Sequence, residues 1–138
     1  VPIDADNDGL LYLNSAQSLI EVPDGASTTI LVGEKVSLLS DLGWMNGDES
    51  TLRNAGSRLN REYVSTGRYS SFGTYPPGST DDGPAGDSLP GFGGDHTLVS
   101  NFLFADGSVR PISTEISRDI LQRLGSRNDG SLMSTTEF

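Results

Sequence analysis

The sequence predicts an α+β fold dominated by antiparallel strands. Three observations carry that expectation. Residues 97–112 hold two strand-forming runs on either side of Asp106-Gly107, and Asp-Gly between apolar runs is a strong hairpin signal. Residues 28–35, TTILVGEK, are β-branched and apolar, which suits a central strand. Residues 116–125, ISRDILQRLG, place Ile120, Leu121 and Leu124 on one helical face, so a short helix is expected over about 117–124.

The elements follow in chain order. The opening VPIDADNDG is acidic. Leu10–Leu13 and Leu19–Val22 are short apolar runs able to pair as strands. Pro23-Asp24-Gly25 then marks a turn, with proline pre-set for its second position. After the 28–35 strand, Val36–Leu42 fits helix or strand equally. Trp44 sits in a turn-like stretch, and residues 48–62 have apolar support only at Leu52 and Leu59. Residues 65–95 are rich in Ser, Gly, Pro and Tyr and form a long irregular loop.

In the hairpin, a two-residue type I′ turn centred on Asp106-Gly107 sets Phe104 opposite Val109 and Phe102 opposite Pro111. Those four then share one face, extended by Leu98. Leu103 and Val99 face the other way, so the strands read as packed on both sides. Pro111 lacks an N–H, which puts the second strand at a sheet edge. In the helix, Ser117 is the expected N-cap and Gly125 the expected C′ residue.

The 138 residues carry no internal repeat and read as a single domain, 1–138. The hydrophobic share is 34% and there are 17 glycines, so a modest core with much loop is expected. A net charge of −10 argues against nucleic acid and anionic membrane surfaces as partners. With no cysteine, disulfides and thiolate zinc sites are excluded. No apolar run has the length of a membrane span, so this segment is not expected to insert into a membrane. The chain opens on Val1 with no visible signal peptide, which suggests a processed form or a fragment.

The sharpest chemical motif is Asp4-x-Asp6-x-Asp8-Gly9. Alternating carboxylates before a glycine match the first half of a calcium loop, where oxygens at positions 1, 3 and 5 converge. The twelfth position is Ser15 rather than a bidentate glutamate, so any remaining ligand must come from elsewhere, such as Glu21, Glu34 or the acidic 81–87 stretch. The competing reading is a solvated acidic segment. His96 is the only histidine, which excludes a multi-histidine metal site. A hydrolase centred on His96 with Asp95 or Asp106 is the least favoured function, because no Gly-x-Ser-x-Gly elbow is present. His96 is expected to bond a loop backbone, and Asp106 to form the turn. Glu34 is expected to pair with an arginine such as Arg53 or Arg110, or to ligate a cation. Asn101 is expected to satisfy a neighbouring backbone group. Tyr63, Tyr69, Phe72 and Tyr75 could form a glycan platform, or pin the loop to the core.

Three segments together resemble a family of prepilin-like, or pseudopilin-like, surface proteins abundant in planctomycete-type bacteria. The first is residues 9–35, where Asp24-Gly25, Ser27, Thr29 and Gly33-Glu34 carry the match. The second is STLRNAGSRLN, 50–60. The third is 92–132, with His96 followed nine residues later by Asp106-Gly107. Members of that family typically have a prepilin leader and a long apolar N-terminal helix, neither of which is present in these residues. The resemblance implies an exported α+β head domain with His96, Asp106, Gly107, Asp24, Gly25 and Glu34 as structural positions.

The function expected is therefore that of an extracellular or cell-surface structural subunit, not an enzyme. It would form a homo-oligomer or filament, with calcium ordering the acidic segment at Asp4, Asp6 and Asp8. Strand addition is the mode of contact that needs least side-chain specificity. The alternative is a carbohydrate- or solute-binding module using the aromatic 63–75 stretch.

Overall fold

The computed structural model describes residues 8–12, 15–35, 55, 56, 59, 91–94 and 96–138. Four elements occur among them: β1 (Ile30–Gly33), β2 (Val99–Phe104), β3 (Val109–Ser113) and α1 (Arg118–Gly125). The strands form one antiparallel sheet in the order β1-β2-β3. This is the strand-dominated α+β arrangement with a C-terminal hairpin and one short C-terminal helix. The expectations for Val36–Leu42, Trp44, most of 48–62, residues 65–90 and Asp95 lie outside the described residues.

Alternation along β2 gives the sheet two unlike faces. Ser100, Phe102 and Phe104 are buried, while Val99, Asn101 and Leu103 are only partly covered. Ile30 of β1 and Ile112 of β3 join the buried face. Leu121 and Leu124 of α1 and Leu59 complete this core, with Phe92, Ile116, Ile120, Met133 and Phe138 packed around it. Among the described residues the core is therefore built from one face of one small sheet, closed by about two turns of helix and a few loop side chains.

The hairpin turn differs from the two-residue type expected. The Phe104 carbonyl accepts from Gly107 N–H at 3.0 Å, and the Phe104 N–H donates to the Ser108 carbonyl at 2.9 Å. The loop thus has three residues, Ala105–Gly107, with Gly107 in the left-handed region at φ +84°. The extra residue shifts the register by one. Phe102 pairs with Arg110 and Leu103 with Val109, and Asn101 with Pro111. A one-residue shift turns every side chain of the second strand over. Val109 and Pro111 are consequently on the outer face and exposed, while Arg110 and Ile112 face the core side. The expected sharing of one face by Phe102, Phe104, Val109 and Pro111 is corrected on this ground.

Three further expectations change. The 28–35 strand is β1, and among the described strands it lies at an end of the sheet, with β2 in the centre. Pro111 does lie on β3, which is outermost among the described strands. The runs at 10–12 and 19–22 contain no strand. Leu10 is buried but Ile20 is 94% exposed, so these runs act as a loop with one anchor. Ser117 is the helix N-cap, its Oγ accepting from Ile120 N–H at 3.3 Å. Gly125, however, lies inside α1, and Ser126 caps it. Gly125 is needed for packing: a Cβ there would fall on the Ala55 methyl, inside contact distance.

Candidate functional site

Three polar clusters hold the motif residues, and each has a clear local origin. The first lies where β1 ends. Glu34 follows Gly33, and its N–H donates to the Asn101 carbonyl of β2 at 3.1 Å. An antiparallel pair would normally return a bond from Asn101 N–H to the Glu34 carbonyl. Here that carbonyl turns away and accepts from Gly93 N–H at 2.9 Å. The Glu34 carboxylate replaces it: Oε2 accepts from Asn101 N–H at 2.8 Å and Oε1 from Asn101 Nδ2 at 2.9 Å. His96 Nε2 stands 3.5 Å from Oε1.

The glycines around this cluster are sterically required. A Cβ on Gly33 would lie 2.5 Å from the Phe102 ring and 2.6 Å from the Phe92 ring. A Cβ on Gly94 would lie 2.7 Å from Glu34 Oε2. Phe92 meets Phe102 edge-on at 5.3 Å between centroids, which seats the 91–94 segment beside β1. Burial pushes the Glu34 carboxyl up, but the side-chain and main-chain donors of Asn101, then the charge of His96, outweigh it. The group titrates below the ordinary glutamate range.

The second cluster is at Asp24. Its carboxylate is buried and accepts from Asp129 N–H at 2.6 Å and Gly130 N–H at 3.1 Å. Its own N–H donates to the Arg127 carbonyl at 3.3 Å. Gly25 takes φ +98°, which permits the turn. The hydroxyl of Thr28 donates to the Asp24 carbonyl at 2.8 Å, and that of Thr29 to the Gly25 carbonyl at 3.0 Å. Asp24 thus ties the turn before β1 to the tail after α1. Arg127 extends this tie to the start of the described chain. Its N–H donates to the Asp8 carbonyl at 2.9 Å and its Nη1 to the Gly9 carbonyl at 2.6 Å.

The third cluster is the hairpin tip. Asp106 Oδ1 accepts from Ser108 N–H at 2.8 Å and from Ser108 Oγ at 2.6 Å. The Ser108 hydroxyl and N–H, with Arg110 adding a smaller contribution, hold this carboxyl below the ordinary range. Arg110 Nη2 donates to the Ser27 carbonyl and to Ser108 Oγ, and lies 3.6 Å from Asp106 Oδ2. Its guanidinium sits 4.0 Å above the Phe104 ring and 5.5 Å from the Phe138 ring, and these two rings stack.

The structure therefore brings Glu34 together with His96 and Asn101, and it places Asp106 elsewhere, at the far end of β2. Of the two arginines expected beside Glu34, Arg110 instead serves Asp106 and the Ser27 carbonyl, and Arg53 lies outside the described residues. Asn101 bonds a carboxylate, where a backbone partner was expected. His96 is 59% exposed and meets that carboxylate in place of a loop backbone. Every identified hydrogen-bond donor on Glu34 is an N–H, so the cluster favours an ionised carboxylate and fixes the chain entering β2. Of the calcium-motif residues, Asp8 is exposed, and Asp4 and Asp6 lie outside the described residues. Among the described residues no three His, Cys, Asp or Glu side chains are grouped to hold a metal ion. The aromatic residues 63–75 also lie outside them. No described helix is long and apolar enough to cross a membrane.

Sequence reasoning missed Arg110 and Arg127 as organisers. A half-clue existed for Arg110, since it is the one charged residue between the apolar positions Val109 and Pro111 in β3. Nothing in the local sequence marks Arg127.

Comparison with known proteins adds one finding. No curated protein and no solved structure matches the chain. Residues 2–119 match the family model SBP_bac_10, described as "Protein of unknown function (DUF1559)". That match takes in β1, the Glu34–His96–Asn101 cluster and the whole hairpin, and the chain belongs to this family.

Proposed function

We propose that this chain is a pilin-like, extracellular structural subunit that self-associates through the outer face of its sheet. One observation supports the reading above others. The extra loop residue turns Val109 outward, where it aligns with Leu103 and, through the β1–β2 register, with Val32. Val32 is 51% and Val109 66% exposed, so an apolar row crosses all three strands on the open side. Burying apolar area between copies is the general driving force for such contacts.

The same register disfavours strand addition at β3. Arg110 and Ile112 face β2 in the ladder, so the outer edge presents Val109, Pro111 and Ser113. Pro111 stands at its centre without an N–H, which blunts an edge. Face contact is thus the preferred mode, and calcium ordering of Asp4, Asp6 and Asp8 belongs to the same proposal. Negative-stain microscopy over a concentration series, with and without chelator, tests it. Assemblies that grow with concentration and shrink with chelator are the expected result. Monomeric particles at every concentration would overturn the proposal, and assemblies indifferent to chelator would remove calcium from it.

A further inference from the structure

We propose that Glu34 is an acid-sensitive latch, whose carboxylate substitutes for its own carbonyl in the β1–β2 ladder so that the carbonyl can hold the segment leading into β2. The geometry makes these two jobs interdependent. The carbonyl serves Gly93 while Oε2 takes over Asn101 N–H. If the carboxylate lets go, Asn101 N–H loses its partner and competes for the carbonyl, and Gly93 loses its anchor.

Protonation is what makes it let go. Among the described residues, the groups facing the carboxylate are Asn101 N–H and Nδ2 from β2, His96 Nε2 from the segment before β2, and the Gly94 backbone. His96, when protonated, is the one among them whose field acts on Glu34, Asn101 and the glycines being neutral, and Lys35 is its neighbour in the chain. A proton placed on Oε2 sets a new donor against the Asn101 N–H, a main-chain group that cannot accept. The Glu34 side chain is 32% exposed, so the protonated carboxyl can turn out to water.

The direction of the pH effect follows from the lowered Glu34 carboxyl. A carboxyl whose pKa is lower when latched than when open stabilises the latched form above its open-state pKa. That stabilisation is lost as pH falls through the latched pKa. The latch is therefore closed at neutral pH and opens on acidification below the ordinary glutamate range. Across that window the opening equilibrium constant rises by up to about tenfold per pH unit.

Amide hydrogen exchange by NMR on the full chain tests this, with rates corrected for intrinsic pH dependence. The expected result is that protection of Asn101 and Gly93 falls on acidification while that of Phe104, bonded inside the hairpin, holds. In Glu34→Gln the same two amides should exchange faster at neutral pH and show no such pH dependence. Protection at Asn101 and Gly93 that tracks Phe104 at every pH would overturn the proposal, as would a Glu34→Gln profile that follows the original chain. Because Phe104 reports global opening, general acid unfolding is distinguishable from release of the latch.

Discussion

Replacing Asp24 with alanine should detach the tail that follows α1 and destabilise the whole chain. The carboxylate is buried and is the acceptor for Asp129 N–H and Gly130 N–H at 2.6 and 3.1 Å. Hydrogen bonds to a charged acceptor contribute about 1.5–3 kcal/mol each, and both are lost together. The two donors are only partly buried, so water recovers some of that. The net cost is placed at about 3 kcal/mol, a large share of a typical domain stability of about 5–15 kcal/mol. With a urea m-value of about 1.5 kcal/mol/M, the midpoint falls by about 2 M. Asp24→Asn keeps one acceptor oxygen and should cost about half as much. Two assays check the mechanism as well as the size. Urea unfolding gives the midpoint, and hydrogen exchange reads the Asp129 and Gly130 amides directly. A midpoint shift under about 0.5 M, or unchanged protection of those two amides, would refute the reasoning.

Three other outcomes are expected. Gly125→Ala should destabilise by about 1–3 kcal/mol although alanine is the better helix former by about 1 kcal/mol, because its methyl falls on Ala55; a stabilised variant in thermal melts would contradict this packing. Ser100→Ala should be neutral or stabilising by about 1 kcal/mol, since the Ser100 hydroxyl is fully buried in the core without a hydrogen-bond partner; a loss above about 1 kcal/mol in urea melts would mean the hydroxyl has a role in the fold. Ser117→Ala should cost about 1 kcal/mol through loss of the cap on Ile120 N–H, read as a lower melting temperature with the sheet signals unchanged.

Local chemistry made some of this fold legible and left the rest hidden. The hairpin and the helix are carried by neighbours in sequence: Asp106-Gly107 between apolar runs, and Ser117 ahead of Ile120, Leu121 and Leu124. The register was harder, because Asp-Gly serves both a two-residue turn and a three-residue loop with glycine in the left-handed position. The choice depends on contacts beyond the turn. Here Asp106 N–H donates to the Ala26 carbonyl and Ala105 N–H to the Thr29 carbonyl, so the tip is seated on the turn before β1. Those partners lie about 80 residues away, and no local pattern reports them.

The clusters divide in the same way. Asp24-Gly25 was readable as a turn, but its bonds to Asp129 and Gly130 cross the length of the chain. Glu34 and Asn101 are likewise 67 residues apart, and a lone carboxylate at a strand end gives no hint of its partner. Gly125 was legible as a glycine near a helix end, a position that ordinarily signals a cap. Its actual reason, the close approach of Ala55, is tertiary. The glycines at 33 and 94 have the same kind of explanation, backbone brought against Phe102, Phe92 and the Glu34 carboxylate.

The most direct test of self-association through the sheet face is sedimentation velocity on the original chain and on Val109→Asp. Val109 is 66% exposed and outside the core, so the substitution leaves the fold in place. The account predicts that the original chain shifts to larger species as concentration rises, while Val109→Asp sediments as a monomer throughout. Equal association by the two proteins would remove the outer face as the contact, and a single monomeric species for both would contradict self-association itself.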